Sequence, residues 1–182
     1  MPTSPNTTSE HELVIQVQQG DRLAFGELYG RYKSGIYSYC LRLLTDRQIA
    51  EDSTHETFLK MFNEIRSLRS PESFRPWLFR IARNEVFMRI RESRRNGTVT
   101  DDDIWDPHTP HERFVTKETS EIVRRFLHEL KQEYREVLVL REYEQMSYTE
   151  IADVTGSTES SVKSRIFKAR KALTARLKPY FQ

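Results

Sequence analysis

Apolar residues in this chain recur at intervals of three and four, and no stretch alternates convincingly in the way a half-buried strand requires. That periodicity restricts the fold to packed helices. A helical pattern begins near His11, and Asp21 is placed to cap the segment carrying Leu23, Ala24, Phe25, Leu28, Tyr29 and Tyr32. Ile36–Leu44 reads as a buried helix that breaks around Thr45–Asp46. Ile49, Ala50, Ser53, Phe58, Met61, Phe62 and Ile65 then continue the spacing. After Ser70-Pro71 the next long helix runs from Phe74 to Arg95, with Pro76 tolerated in its first turn. Asn96-Gly97 ends it, because these residues best accept a left-handed cap. Helical pattern resumes over Ser120–Leu130 and Glu133–Tyr143. The expectation is an all-α chain of two small helical domains.

Between them, residues 96–111 carry Gly97, Asp101, Asp102, Asp103, Asp106, Pro107 and Pro110 without periodicity, which reads as a flexible acidic linker. The expected organisation is a disordered tail over 1–9, a first domain over 10–95, a linker over 96–115 and a second domain over 116–182. The 182 residues suffice for two domains of about 70 to 90 residues each.

Net charge is only +2, but it is unevenly spread. Residues 1–95 sum to +3, residues 96–115 to −4 and residues 116–182 to +3. From Ser160 to Gln182 there are seven basic residues and no acid, and Arg80–Arg95 holds six basic residues against Glu85 and Glu92. Two basic surfaces suit a polyanion, although charge alone fits solvated helix faces equally well. No apolar run approaches the ~18–20 residues of a membrane span. Met1–Ser9 has neither the basic nor the apolar part of a secretory signal. The single cysteine, Cys40, can form neither an internal disulfide nor a CxxC metal site, so a cytoplasmic setting is expected.

The strongest local signal lies near the C-terminus. Ser147-Tyr148-Thr149-Glu150 fits a capping box, Ile151, Ala152 and Val154 make a short buried helix, and Gly156 permits a tight turn. Ser157 or Thr158 can cap the helix that follows, over Glu159–Leu177. On a helical wheel Val162, Ile166, Ala169, Leu173 and Leu177 fall within roughly 80° of one another. Ser161, Ser164, Arg165, Lys168 and Lys171 occupy the opposite side. A short helix, a glycine turn and a second helix with small and basic residues in front is what docking in a DNA major groove requires.

A second face is built differently. Arg80, Arg83, Asn84, Phe87, Arg91, Arg94 and Arg95 share one side of the Phe74–Arg95 helix, away from Leu78, Ile81, Ala82, Val86 and Ile90. Cations interleaved with an aromatic and an amide can follow a single-strand backbone and touch unstacked bases. Phe74, Trp77 and Phe79 fit a core better than a stacking platform.

These motifs, in this order, resemble the extracytoplasmic-function group of the sigma-70 family of bacterial transcription initiation factors. The matching residues are Ala50-Glu51-Asp52 through Glu56-Thr57-Phe58, the block Phe74–Asn84 containing Trp77-Leu78 and Ile81-Ala82, Tyr148–Ala152, and Ser161–Arg170. The resemblance spans roughly residues 13–95 and 116–178. It implies a first domain that binds core RNA polymerase and opens the −10 promoter element, and a second that reads −35 duplex. Ser161, Lys163, Ser164, Arg165, Phe167, Lys168 and Lys171 would face the −35 element. Leu68, Arg69, Ser70, Ser73 and Phe74, with Arg80, Arg83, Asn84, Phe87 and Arg91, would serve the −10 element, the loop holding a flipped base. Asp52, His55, Glu56, Phe58, Leu59 and Phe62 would meet the clamp helices of the polymerase β′ subunit, and the second domain would sit against the β flap. His55 stands where the family commonly has Gln. The resemblance further implies an anti-sigma factor as a partner, no cofactor and no catalytic residue.

Energetics favour a partner as well. Holding open about ten base-pair steps costs on the order of 14 kcal/mol, and two or three stacked bases at roughly 1–3 kcal/mol each recover about half of that or less. A domain this small needs polymerase to supply the remaining contacts. The rival readings are a stand-alone regulator using only the helix-turn-helix, an enzyme, and a structural adaptor. The enzyme finds no Gly-rich phosphate loop or HExxH, and Cys40 sits in an apolar run as a core thiol. His108, His111 and Asp106 lie in a Pro-flanked stretch poorly suited to holding a metal. The acidic residues 101–106 could mimic nucleic-acid charge in a basic channel or serve as a solvated spacer.

Overall fold

The computed structural model describes residues 8–96 and 117–180. Residues 1–7 of the tail expected over 1–9, and the acidic linker with the cap expected at Gly97, lie outside the described residues; Ser9, expected in that tail, is instead ordered as the cap of the first helix. Eight α-helices account for most of the rest: α1 (Glu10–Gln18), α2 (Arg22–Leu44), α3 (Arg47–Glu64), α4 (Phe74–Asn96), α5 (Lys117–His128), α6 (Gln132–Leu138), α7 (Tyr148–Thr155) and α8 (Glu159–Leu177). Single 3₁₀ turns lie at Ile65–Ser67, Pro71–Ser73 and Lys178–Tyr180.

Local chemistry sets most of these boundaries. The Ser9 hydroxyl accepts from the Glu12 N–H at 3.2 Å while the Glu12 carboxylate accepts from the Ser9 N–H, closing a capping box on α1. Asp21 accepts from Leu23 and Ala24 N–H to start α2. Thr45 takes the left-handed conformation at φ 68°, and Asp46 at once caps α3 by accepting from Ile49 N–H at 2.7 Å. Two helices therefore meet in an antiparallel pair with almost no loop. Beyond α6 the backbone widens into a π turn over Val139–Tyr143, which shortens the single helix that the periodicity implied over Glu133–Tyr143. In the C-terminal part Ser147 and Glu150 close the second capping box, Gly156 turns the chain at φ 63°, and Thr158 caps α8.

In the N-terminal part α2 packs against α1, α3 and α4, burying Leu28, Ile36, Tyr39, Met61, Leu78 and Phe79. In the C-terminal part α8 lies across α5, α6 and α7 on Val162, Ile166 and Ala169. Arg135 closes the end of α5 by donating to the carbonyls of Leu127, His128 and Leu130, groups that the helix itself cannot satisfy. The two parts are not held apart. α4 packs on α7, and the buried side chains of both parts form one continuous cluster.

Two aromatics expected at binding surfaces belong to this core. Phe74 is fully buried, edge-on to Tyr32 with centroids 5.4 Å apart, because the 3₁₀ turn at Pro71–Ser73 rolls the first residue of α4 inward. Phe58 is 3 % exposed and packs edge-on against Tyr29 at 4.7 Å. Phe74→Ala should destabilise the chain by about 3–5 kcal/mol in denaturant unfolding. Phe167→Ala, at a side chain 69 % exposed, should change stability by less than about 0.5 kcal/mol.

Candidate nucleic-acid interfaces

The helix-turn-helix presents α8 as an accessible edge. Lys163, Ser164, Phe167, Lys168 and Lys171 are exposed, and Ser161 and Arg165 are half-buried. The packing of Val162, Ile166 and Ala169 underneath forces these side chains outward, since positions between buried ones on a helix must face away. A shallow groove of about 440 Å³ runs beside them, lined by Ser161, Ser164, Arg165 and Lys168 from α8 and by Glu133 and Tyr134 from α6. The Arg165 Nε lies 3.6 Å from Glu133, an exposed carboxylate that holds the guanidinium against the groove wall. Lys163 is 3.9 Å from Glu159 and stands 5.6 Å from the Tyr148 ring centroid. The arrangement offers donors for phosphates and base edges, with an exposed aromatic among them.

On α4 the basic face divides into two. Arg80, Asn84, Arg91, Arg94 and Arg95 are exposed. Arg83 and Phe87 are half-buried: the Arg83 guanidinium lies 4.3 Å from the Phe87 ring centroid, and its Nε donates to Glu136 at 2.7 Å. The adjoining loop exposes Arg69 and Ser73, with Leu68 and Ser70 half-buried. Phe74 is not available to a base, and its contribution to this surface is to anchor the start of α4 from below.

A third surface lies on α3. Asp52, His55, Leu59 and Phe62 are exposed at helical spacing on one face, with Leu59 at 44 % and Phe62 at 49 % exposure; Glu56 is half-buried. Phe62 stands edge-on to Phe25 of α2 at 5.2 Å, and Leu23 adds a further exposed apolar side chain near the start of α2. Phe58 drops out of this surface and supports it from the core.

The contact between the two parts was not anticipated from the sequence. Glu136 is 2 % exposed and accepts from Arg83 Nε at 2.7 Å and from the Tyr39 hydroxyl at 3.1 Å. Burial pushes its carboxyl above the usual carboxylate range, and the Arg83 charge pulls it back. Nearby, Arg75 donates to the Glu144 carbonyl and pairs with Glu150 of α7 at 3.3 Å. The Glu144 carboxylate lies so close to Gly35 that a Cβ there would stand 2.8 Å from Oε2. The Arg42 guanidinium lies 3.7 Å from the Tyr143 ring centroid. The one available signal was Glu136 itself, a carboxylate directly ahead of the apolar run Val137–Leu140. Among the described residues no group of His, Cys, Asp and Glu is gathered to hold a metal, and no helix is long and apolar enough to cross a membrane. Cys40 is buried, and the same burial pushes its thiol up to about 12.

Glu144 gives this contact a pH dependence. Burial raises its carboxyl to about 7 against the opposing charges of Arg75 and Arg42. The closed arrangement therefore binds a proton more tightly than a solvated Glu144 would. Closure is favoured in acid and weakens as pH rises from about 4.5 through 7. Energy transfer between dyes placed one in each part should fall over that interval, and Glu144→Gln should flatten the profile.

Residues 28–96 match the family described as Sigma-70 region 2, and residues 120–173 match Sigma-70, region 4. The chain is 31% identical over 182 residues to the RNA polymerase sigma-H factor of Pseudomonas aeruginosa, covering 93% of this chain and 94% of that one. It is 30% identical over 177 residues to the ECF RNA polymerase sigma factor SigW of Bacillus subtilis, covering 91% and 95%. Among solved structures, CnrH, determined in complex with the cytosolic domain of CnrY, superposes with a TM-score of 0.73 at 26% identity over 93% of this chain and 97% of that one. The sigma factor RpoE of Bartonella quintana, determined with the anti-sigma factor NepR, gives the same TM-score at 23% identity, over 85% and 96%, and shows the shared fold.

Proposed function

The chain belongs to the extracytoplasmic-function group of the sigma-70 family, and from that premise we propose how its surfaces divide the work of directing RNA polymerase to promoters. The second domain reads −35 duplex through Ser161, Lys163, Ser164, Arg165, Phe167, Lys168 and Lys171. The first opens and holds the −10 element with Arg69, Ser70 and Ser73 of the loop and Arg80, Arg83, Asn84, Phe87 and Arg91 of α4. Core polymerase docks on the α3 face carrying Asp52, His55, Leu59 and Phe62. The observation that carries this reading is the coexistence of two separate cationic faces and an exposed apolar ridge on one chain. A stand-alone regulator accounts for α8 alone.

Each surface suits its task physically. The groove beside α8 is shallow and polar, with hydroxyl and cationic groups outnumbering its one carboxylate, Glu133, which suits a duplex edge. The α4 face mixes guanidinium groups with Asn84, whose amide both donates and accepts, as an unstacked base demands. The apolar ridge on α3 is the kind of exposed patch that marks a protein partner. The chain lends specificity and strand opening, and the polymerase performs the chemistry. The setting is therefore the cytoplasm, with no cofactor required.

For the −10 surface to work, Arg83 must leave Glu136, so promoter opening requires the two domains to part. An anti-sigma factor that favours the closed arrangement or covers the α3 ridge would hold the protein inactive. The CnrH structure, determined with a second protein's cytosolic domain, supports a partner of this type.

The purified chain should co-elute with core RNA polymerase at one-to-one stoichiometry on size exclusion, and Leu59→Asp with Phe62→Asp should abolish the complex. Elution as the free chain, with salt-sensitive duplex binding intact, would return the protein to the stand-alone regulator. Arg165→Ala should weaken binding to a cognate −35 duplex by about 1–3 kcal/mol, read by fluorescence anisotropy, while leaving polymerase assembly unchanged.

A further inference from the structure

Helix α1 precedes the segment that matches region 2, which begins at residue 28, and nothing in the proposed division of labour uses it. Its last residue, Gln18, nonetheless makes two contacts far along the chain. The side-chain amide nitrogen donates to the carbonyl of Ile65 at 3.0 Å and to that of Leu68 at 2.8 Å. Both hydrogens of the amide are used, on two carbonyls that bracket the 3₁₀ turn where α3 ends and the Leu68–Ser73 loop begins. At the opposite end of α1, His11 Nδ1 lies 2.9 Å from the carboxylate of Glu72, which also accepts from the Ser70 hydroxyl at 2.5 Å. One short helix thus touches both legs of the loop.

The loop's own bonds are local: Leu68 N–H to the Ile65 carbonyl at 3.1 Å, Ser73 N–H to the Ser70 carbonyl at 3.0 Å and Phe74 N–H to the Pro71 carbonyl, with the Leu68 side chain half-buried against the core. Its far end is anchored by the buried Phe74. α1 is itself rigidly seated by its capping box, by the buried side chains Leu13, Val14 and Val17, and by Glu10 accepting from the Tyr32 hydroxyl. A loop that must hold one unstacked base in a defined pose needs a fixed backbone, because a displacement of about 1 Å breaks a hydrogen bond to a base edge.

We propose that α1 is the rigid backing of the base-holding loop and that Gln18 is a positioning residue for it, setting the path of Leu68–Ser73 through the carbonyls of Ile65 and Leu68. This rests on the −10 reading above. Gln18 touches no nucleic acid. Its role is to keep the carbonyls of Ile65 and Leu68 turned toward α1, so that the polar groups of Arg69, Ser70 and Ser73 keep a constant geometry.

The test uses the full chain assembled with core polymerase and forked promoter DNA carrying each of the four bases in turn at the unpaired −10 positions. Gln18→Glu keeps the shape but replaces both donors by a carboxylate facing two carbonyls, and Gln18→Met removes the donors without adding charge. Either variant should lose discrimination between bases at one −10 position by about tenfold, the scale of a single base mismatch. Affinity for −35 duplex and assembly with polymerase should remain unchanged. Amide exchange over residues 67–73 should accelerate in the same variants, a readout that also serves if one of them loses stability. Variants that fold, protect the loop normally and retain wild-type discrimination would overturn the proposal. A wild-type holoenzyme that treats all four bases alike at every −10 position would overturn the −10 reading, and the proposal with it.

Discussion

A carboxylate removed from water must be met by donors, and Glu136 meets them only across the domain boundary. At 2 % exposure it takes one bond from Tyr39 of α2 and one from Arg83 of α4. Neither partner lies in its own domain. Parting the domains breaks both bonds at once, so the contact specifies one closed geometry without contributing much net stability. Removing a single partner is different, since it leaves a buried charge or hydroxyl unmet and costs about 3–5 kcal/mol for a broken buried pair. A contact that is selective in geometry and modest in net strength suits the opening proposed for promoter capture. Arg75, Arg42 and Glu144 surround it with further polar contacts of the same kind.

This closed geometry divides the two cationic faces unequally. The α8 face stays accessible, its Arg165 paired with the exposed Glu133. The α4 face loses Arg83 and part of Phe87 to the boundary, leaving Arg80, Asn84 and Arg91 exposed. The proposed duplex reading by α8 is thus compatible with closure, and the proposed strand capture by α4 is not. On the proposed assignment the −10 surface is complete only once Arg83 has left Glu136.

The features legible in the sequence were those whose causes are local. The capping box at Ser147, the turn at Gly156 and the stripe Val162–Ile166–Ala169 each depend on residues a few positions apart, and α8 runs over Glu159–Leu177 as its wheel implied. Asp21 and the break at Thr45–Asp46 are legible for the same reason. For Phe74 the residue pattern favours a core place and the resemblance a −10 one, and the structure agrees with the pattern: the ring is buried against Tyr32, some forty residues away in the chain. The resemblance sets Phe58 on the polymerase surface, whereas the apolar spacing counts it with Met61 and Ile65, and the ring of Tyr29 covers it. The Tyr39–Glu136 bond joins residues 97 positions apart, and Gln18 reaches 47 and 50 positions to its carbonyls. Contacts at that separation leave no periodicity behind them. What they leave is a polar residue at a position where burial is expected, as at Glu136.

The most direct test of the proposed opening on polymerase is a distance measured across the domain boundary. Cys40 is buried with its thiol pushed up to about 12, so it does not compete for thiol reagents. Spin labels can therefore be placed selectively on cysteines introduced at the exposed residues Gln48 and Asp153. Pulsed electron resonance on the free chain should give one short distance population, and a stoichiometric amount of core RNA polymerase should replace it with a longer one. An unchanged distance in the assembled complex would contradict the account, because Arg83 would then still be held by Glu136 in the form that opens promoters.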